Sequence, residues 1–198
     1  MSFTLVHDFI MYVMAAITAI ATFIIIERVI FFLAVLREGK EVDNHIKSHL
    51  NDKELRKELH HTFSSYKGPQ ASALLEIVGA REMPHEEMEY YVQSVYVAKQ
   101  PVLNNRLWML DTIITLSPLL GLLGTIMGII DSFHTLSSAD GNSDPAAVSR
   151  GIGTALYATG FGIFIALYAM TFFNYFTSKV EQINNQMKLI SLTVLAYK

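Results

Sequence analysis

The sequence contains no cysteine, and its charged residues are few and unevenly placed. The absence of cysteine excludes disulfide bonds and thiolate chemistry within the chain. Asp, Glu, Lys, Arg and His are also missing from three long stretches, residues 9–26, 112–130 and 152–176. A helix of about 20 apolar residues, at about 1.5 Å per residue, spans the hydrocarbon core of a bilayer. The three stretches therefore predict three transmembrane helices in a small polytopic membrane protein.

Basic residues are concentrated between the first two predicted spans. Most of the 15 Lys and Arg residues lie within residues 37–106, and the tail after residue 177 adds three more. By contrast, no Lys or Arg precedes residue 9, and the segment between the second and third spans holds only Arg150. Because Lys and Arg are enriched on the cytoplasmic side of membranes, this distribution predicts an external N-terminus and a cytoplasmic tail.

The predicted fold class is an all-α membrane protein in which long helices extend from three transmembrane segments into a cytoplasmic helical region. Amphipathic spacing predicts helices in that region, and Pro101 is expected to kink or interrupt the helix before the second span. Arg28, just past the first charge-free stretch, is expected to reach the lipid headgroups. The predicted order is an external N-terminus (1–8), the first span with a cytoplasmic extension (9–36), the cytoplasmic helical region (37–106), the second span (107–133), an external loop (134–150), the third span (151–177) and a cytoplasmic C-terminal helix (178–198).

Small residues recur on one face of the second and of the third predicted span, each face about 80° wide on a helical wheel. In lipid, small residues let helix backbones approach closely, and hydroxyl groups find partners on neighbouring helices. Two interpretations stay open: close helix packing, or a cavity lined by threonine hydroxyls. The candidate pore or packing face consists of Ser117, Pro118, Gly121, Gly124, Gly128, Ala155, Gly162 and Ala166, with Thr125 and Thr159 supplying the hydroxyls.

The three charge-free stretches contain no side chain that titrates near neutral pH, since their only ionisable groups are tyrosines with a reference pKa near 10. If protons cross here, a carboxylate from another chain must carry them, which argues against a homomeric proton channel. Glu27, Asp111 and Asp131 lie at span ends. Such charges commonly anchor helices at the interface, and the alternative places Glu27 and Asp111 on a cytoplasmic exit route and Asp131 at an external cation-attracting position.

Other functional classes find little support in the sequence. His45 and His49 have a metal-compatible spacing, with His60 and His61 further on, but no carboxylate or cysteine pattern completes a site. The formal net charge of −3 argues against a nucleic-acid partner. Neither a nucleophile constellation nor a phosphate-binding loop is present. No metal, cofactor or enzymatic activity is therefore expected.

The two small-residue segments resemble a known family. Residues 117–133, SPLLGLLGTIMGIIDSF, resemble the second-span signature of the ExbB/TolQ/MotA inner-membrane motor proteins. Residues 151–170, GIGTALYATGFGIFIALYAM, followed by Asn174, Tyr175 and Phe176, resemble the third-span signature of the ExbB and TolQ branch. Three spans and a short outer loop also match that branch, whereas flagellar MotA proteins have four spans.

The resemblance implies a homopentamer in a Gram-negative inner membrane, with a periplasmic N-terminus, surrounding the single spans of an ExbD- or TolR-like dimer. The proton-motive force would drive it, with protons as the coupling ion and sodium left open, and force would pass to a TonB- or TolA-like periplasmic protein. In this family the second-span and third-span threonines face the partner's essential aspartate. These positions are Thr125 and Thr159, which makes them the expected ion pathway.

One position departs from the family pattern. The family usually has a glutamate in its third-span motif, where this chain has Thr154. On the helical wheel Thr154 is about 140° from Thr159 and is expected to face a different neighbour. Two functional alternatives accompany the ExbB-like interpretation: a TolQ-like subunit for envelope maintenance or a gliding-type motor, and, from a different class, a passive membrane scaffold whose small faces only pack helices.

Overall fold

The computed structural model describes residues 3–49, 66, 68–80, 84–137 and 145–196. These residues form five helices and no strand. The helices are α1 (Phe3–His49), α2 (Pro69–Gly79), α3 (His85–Leu103), α4 (Leu107–Ser137) and α5 (Pro145–Ala196). The histidines considered as metal ligands lie outside the described side chains, since only the backbone of His45 and His49 is described and residues 60–61 are not.

The predicted fold class is confirmed. Three helices contain segments long and apolar enough to cross a membrane, at Asp8–Asn44, Leu107–His134 and Val148–Leu189. They belong to α1, α4 and α5, and α2 and α3 supply the further helical region. The predicted C-terminal helix at 178–198 is, as far as Ala196, the uninterrupted continuation of α5.

One proline begins a helix, and another lies within the last turn of a helix. Pro69 begins α2, where its missing N–H costs no helical hydrogen bond. Pro101 does not interrupt α3, because it lies in the last turn of that helix, which ends at Leu103. Asn104 N donates to Gln100 O at 3.0 Å and closes that last turn. A tight turn then leads into α4 through Arg106, whose φ of 62° lies in the left-handed region.

The described residues divide into two compact units, and α1 and α5 contribute to both. The first unit comprises Met1–Ile26 and Arg106–Asn174, and it contains the charge-free stretches apart from the last residues of the third. Within it, α4 packs antiparallel to α5, because a Cβ on Gly151 would meet Ser132 whereas one on Gly162 would meet Ser117. The N-terminal part of α1 packs against this pair.

The second unit comprises Glu27–Asn105 and Tyr175–Lys198. Its core includes a stacked aromatic pair, Phe32 on α1 and Phe176 on α5, with ring centroids 5.5 Å apart. On α3, Tyr96 donates its hydroxyl to Met187 O on α5 at 2.9 Å. Most of the remaining core is aliphatic and buried. Its side chains that are at most 2% exposed include Leu74, Ile77, Met88, Leu103, Ile183 and Met187.

Candidate functional site

The backbones of α4 and α5 approach closely at two glycines. A Cβ on Gly121 would lie 2.8 Å from Ala158 O and 3.0 Å from Thr159 Cα. A Cβ on Gly162 would lie 2.5 Å from Ser117 O and 3.1 Å from Gly121 Cα. Because the obstructing atoms are backbone atoms, which cannot rotate away, only glycine permits this crossing. The glycines therefore bring the backbone of one helix within reach of side chains on the other.

A hydroxyl cluster lies at this crossing. Thr125 Oγ1 on α4 and Thr159 Oγ1 on α5 are 2.5 Å apart, the short end of the range for an O–H···O hydrogen bond. Both also lie within hydrogen-bonding distance of the same carbonyl, with Gly121 O 3.0 Å from Thr125 Oγ1 and 3.1 Å from Thr159 Oγ1. Thr125 is 7% exposed and Thr159 is half-buried. Three oxygens from two helices thus meet in the membrane-spanning unit.

The protons of the cluster can be counted. Each hydroxyl has one proton to donate and can accept, whereas the Gly121 carbonyl only accepts. One hydroxyl donates its proton to the carbonyl. The second hydroxyl donates its proton to the oxygen of the first, which accounts for the 2.5 Å separation between the two hydroxyl oxygens. Both protons are then used within the cluster, and lone pairs remain. In this arrangement the cluster can accept a hydrogen bond from another molecule. It can donate one only after a hydroxyl rotates away from its present acceptor.

The other residues of the small face mostly serve helix contact. Ser117 is fully buried and donates to Ile113 O at 2.7 Å on its own helix, and Ser132 likewise donates to Gly128 O at 2.9 Å. A Cβ on Gly124 would meet Ala158 Cβ at 2.9 Å and Ile10 Cγ2 at 3.6 Å. Gly121, Gly124, Gly128, Ala155, Gly162 and Ala166 are all buried, and Pro118 is half-buried.

The secondary candidates are not brought into the hydroxyl cluster. Thr154 is exposed, and its hydroxyl donates to Gly151 O on its own helix at 2.8 Å. Asp111 is exposed and Asp131 is half-buried. Glu27 belongs to the second unit, where its carboxylate accepts two hydrogen bonds from Arg28. Their assignment to an ion route stays a prediction.

The expectation that Arg28 reaches the headgroups is wrong. Its side chain is 3% exposed, and it binds Glu27 through Nε at 2.8 Å and Nη2 at 3.0 Å. Its guanidinium also lies 4.7 Å from the ring centroid of Phe31. An adjacent carboxylate and an aromatic ring thus surround this charge, and pairing through Nε and Nη2 offsets part of its desolvation cost. Nη1 is buried without a hydrogen-bond partner among the described residues. Glu27 next to Arg28, and Phe31 three residues after it on the same helix, were the available signal.

Sequence reasoning also missed a hydroxyl contact between α1 and α5. Tyr168 donates to Thr22 Oγ1 at 3.5 Å, and Thr22 in turn donates to Thr18 O at 2.8 Å. Thr18 repeats the pattern one turn earlier by donating to Met14 O. Two hydroxyls, those of Tyr168 and Thr22, therefore meet where these two helices of the first unit contact each other. Threonines four residues apart, Thr18 and Thr22, were the signal in the sequence.

Three helices that are apolar and long enough to span a membrane, two of which form a hydroxyl cluster where they cross, define a multi-pass membrane protein with a polar site between its helices. Residues 31–189 match the model of the MotA/TolQ/ExbB proton channel family. Since the match covers most of the chain, the protein belongs to that family, as the two span signatures predict. The family is one of channels rather than of enzymes.

Individual relatives come from both the ExbB and the TolQ groups. A biopolymer transport protein ExbB homolog of Methanothermobacter thermautotrophicus is 30% identical over 125 residues, 63% of this chain and 44% of the relative. The biopolymer transport protein ExbB-like 3 of Synechocystis is 36% identical over 111 residues, 56% of this chain and 53% of the relative. The Tol-Pal system protein TolQ of Pseudomonas aeruginosa is 34% identical over 103 residues, 50% of this chain and 44% of the relative. The alignments thus span about half the length of these relatives.

Proposed function

We propose that this protein is the pentameric subunit of a proton-motive-force-driven motor in a bacterial inner membrane. Five copies enclose the single spans of an ExbD/TolR-like dimer, and movement of that dimer energises a TonB/TolA-like periplasmic protein. The N-terminus is periplasmic and the C-terminus cytoplasmic. Membership of the proton channel family and the names of the relatives support this proposal.

The observation that carries the proposal is the cluster of Thr125, Thr159 and the Gly121 carbonyl. A protonated carboxyl from the partner donates to a lone pair of the cluster as it stands. After deprotonation the carboxylate needs a donor, which one threonine supplies by rotating its hydroxyl away from the cluster. A single side-chain rotation therefore lets the site bind both forms of the acid with opposite hydrogen-bond polarity.

The partner's acid carries the proton, because the charge-free stretches of this chain hold no group that titrates near neutral pH. Thr125 and Thr159 stabilise that acid in a region where water is scarce and an unpaired carboxylate is costly. Alternate binding of its two forms on neighbouring subunits moves the dimer stepwise. The coupling ion in this mechanism is the proton, and no cofactor takes part.

The test is proton flux into liposomes that contain the protein together with its single-span partner. Thr159→Val keeps the shape of the side chain and removes the hydroxyl, and partner-dependent flux is expected to fall by about tenfold or more. Thr171→Val is the matched control, because Thr171 lies on the same helix, is exposed and donates its hydroxyl to Leu167 O in its own turn. Normal flux in Thr159→Val, with assembly intact, would contradict the proposal.

A passive scaffold is the second candidate, and the backbone contact at Gly121 and Gly162 favours it. Tight packing of α4 on α5 needs glycines whether or not protons pass nearby. A scaffold predicts that Thr125→Val and Thr159→Val leave function intact while bulkier residues at Gly162 abolish it. A TolQ-like or gliding-type role, rather than an ExbB-like one, is distinguished by identifying the single-span protein that co-purifies with the chain.

A further inference from the structure

We propose that Ile10, on α1, is an insulating residue that keeps water away from one side of the hydroxyl cluster. The cluster is then reached from its other side alone. A proton site open on two sides would let protons bypass the partner, so this role rests on the proposed function. Its test needs neither the partner nor proton flow, and the two can therefore fail separately.

The contact between α4 and α5 has two flanks at the level of the cluster. On one flank, Thr125 Oγ1 and Thr159 Oγ1 are 2.5 Å apart. On the other, a Cβ on Gly124 would lie 2.9 Å from Ala158 Cβ. Gly124 and Ala158 each precede a threonine by one residue, which turns them by about 100° around their helices. The hydroxyls therefore border one flank, and two small residues border the other.

Ile10 covers the flank of small residues. Its side chain lies against Gly124, where a Cβ would be 3.6 Å from Ile10 Cγ2. Ile10 is 4% exposed and Ala158 is fully buried. Asp8, two residues before Ile10, is exposed, whereas Met14, one turn after it, is fully buried. Exposed polar surface thus gives way to a closed apolar contact within one helical turn, and Ile10 is the first buried residue among the described side chains of α1.

A second contact holds α1 against α5. Tyr168 donates its hydroxyl to Thr22 Oγ1 at 3.5 Å. Thr22 lies about 18 Å along α1 from Ile10, and Met14 and Ala21 between them are fully buried. The helix α1 therefore follows the α5 helix over this length, and the position of Ile10 does not depend on the Gly124 contact alone.

The flank that carries the threonine hydroxyls is open by comparison. Thr159 is half-buried, and three apolar side chains around the hydroxyls are exposed, namely Leu122, Leu156 and Ile163. Each of the three lies within about 60° of the threonine on its own helix, turned away from the flank that Ile10 covers. One flank is thus closed by α1, and the other faces away from the three-helix contact.

The size of the Ile10 side chain matters because the residues it covers are small. Ile10→Ala removes most of that side chain and leaves a space beside Gly124 and Ala158, next to the hydroxyl cluster. Water occupies a cavity where polar groups can bind it, and the lone pairs of the cluster are such groups. The truncation is therefore expected to admit water from the end of α1 where Asp8 lies.

The test measures how fast the thiol of Thr125→Cys reacts with a water-soluble methanethiosulfonate reagent, in the full-length chain in liposomes. The chain has no native cysteine, so this thiol alone reacts. Because the reactive species is the thiolate, which needs water, Ile10→Ala is expected to raise the labelling rate by about tenfold or more. Ile10→Leu keeps the volume and should change the rate by less than about threefold. Ile20→Ala, on the exposed side of α1, is the matched control and should leave the rate unchanged.

A second thiol separates water entry at the cluster from general loosening of the helices. Ser117 is fully buried on α4, about 12 Å along the helix from Thr125, so Ser117→Cys should label slowly with or without Ile10→Ala. A rise at Thr125→Cys alone supports the proposal. Equal rises at both thiols overturn it, as does an unchanged rate at Thr125→Cys. Labelling of Thr125→Cys as fast as that of the exposed Thr171→Cys, with Ile10 intact, also overturns it. None of these outcomes alters the flux test of the proposed function.

Discussion

Thr125 and Thr159 share the Gly121 carbonyl, and this sharing limits what their hydroxyls can offer to another molecule. One hydroxyl proton is donated to the carbonyl and the other to the neighbouring hydroxyl oxygen. The three oxygen–oxygen separations are 2.5, 3.0 and 3.1 Å. The helical wheel placed both residues near a small face but gave no axial alignment between helices. That alignment depends on how far each helix slides along the other, and the two glycines determine it through backbone contact. The role of both threonines as an ion pathway stays a prediction.

The hydroxyl itself, rather than the volume of the side chain, is expected to matter at this site. Thr159→Ser keeps an Oγ, so proton flux should stay within about threefold of the wild type, whereas Thr159→Val should lose about tenfold or more. The same order, Thr then Ser then Val, is expected at Thr125. Partner-dependent proton flux measures both series. Equal losses for Ser and Val would indicate that packing, and not hydrogen bonding, limits activity.

Arg28 and Glu27 provide a second prediction for individual residues. Glu27→Gln leaves a guanidinium that is 3% exposed without its carboxylate, and should lower the free energy of unfolding by about 2–3 kcal/mol. Arg28→Met fills similar volume without a charge and, combined with Glu27→Gln, should restore much of the loss. Unfolding of the purified variants in detergent measures both effects. Additive losses in the double variant would show that the pair does not act as a unit.

The contact between α4 and α5 is the critical feature at the level of helices. The charge-free stretches predicted the spanning helices correctly, because length and lack of charge alone decide what can cross a bilayer. The sequence did not predict the burial of Arg28, because a local carboxylate and ring replaced water as its surroundings. The continuation of α5 through the tail without a break was not predicted either, although the absence of glycine and proline between Gly162 and Ala196 favours it.

Adding one methyl group distinguishes the packed glycine from an open one on the same helix. Gly162→Ala places a Cβ 2.5 Å from Ser117 O and should lower the free energy of unfolding by about 1–3 kcal/mol. Gly160→Ala meets nothing within 4 Å and should be neutral, or stabilise α5 by about 0.5–1 kcal/mol through its higher helix propensity. Thermal unfolding of both variants in detergent makes the comparison. A similar effect from the two changes would refute close packing at Gly162.

For the whole molecule, the important property is that its spans lack an ionisable carrier. Three helices are long and apolar enough to cross the membrane, and their charge-free stretches hold no acid, base or histidine. The chain belongs to a proton channel family, and the proposed proton transfer therefore needs an acid from another chain. Thr154, where the family resemblance implies a glutamate, is exposed and bonds its own helix, so this position supplies no acid either.

The isolated protein is therefore expected to pass no protons. Liposomes containing only this chain should show the same proton leak as protein-free liposomes, and addition of the single-span partner should raise flux well above that baseline. A partner whose intramembrane acid is replaced by its amide serves as the control and should not raise the flux. Conduction by the chain alone would mean that the spans carry protons without a partner.

The most direct test of the central claim is disulfide cross-linking between Thr159→Cys and a cysteine that replaces the partner's intramembrane acid. The chain has no native cysteine, so any cross-link reports the introduced pair alone. The account predicts efficient cross-linking from residue 159 and little from Thr154→Cys, since Thr154 lies outside the hydroxyl cluster. Cross-linking from residue 154 but not from residue 159, in complexes of normal composition, would contradict the account.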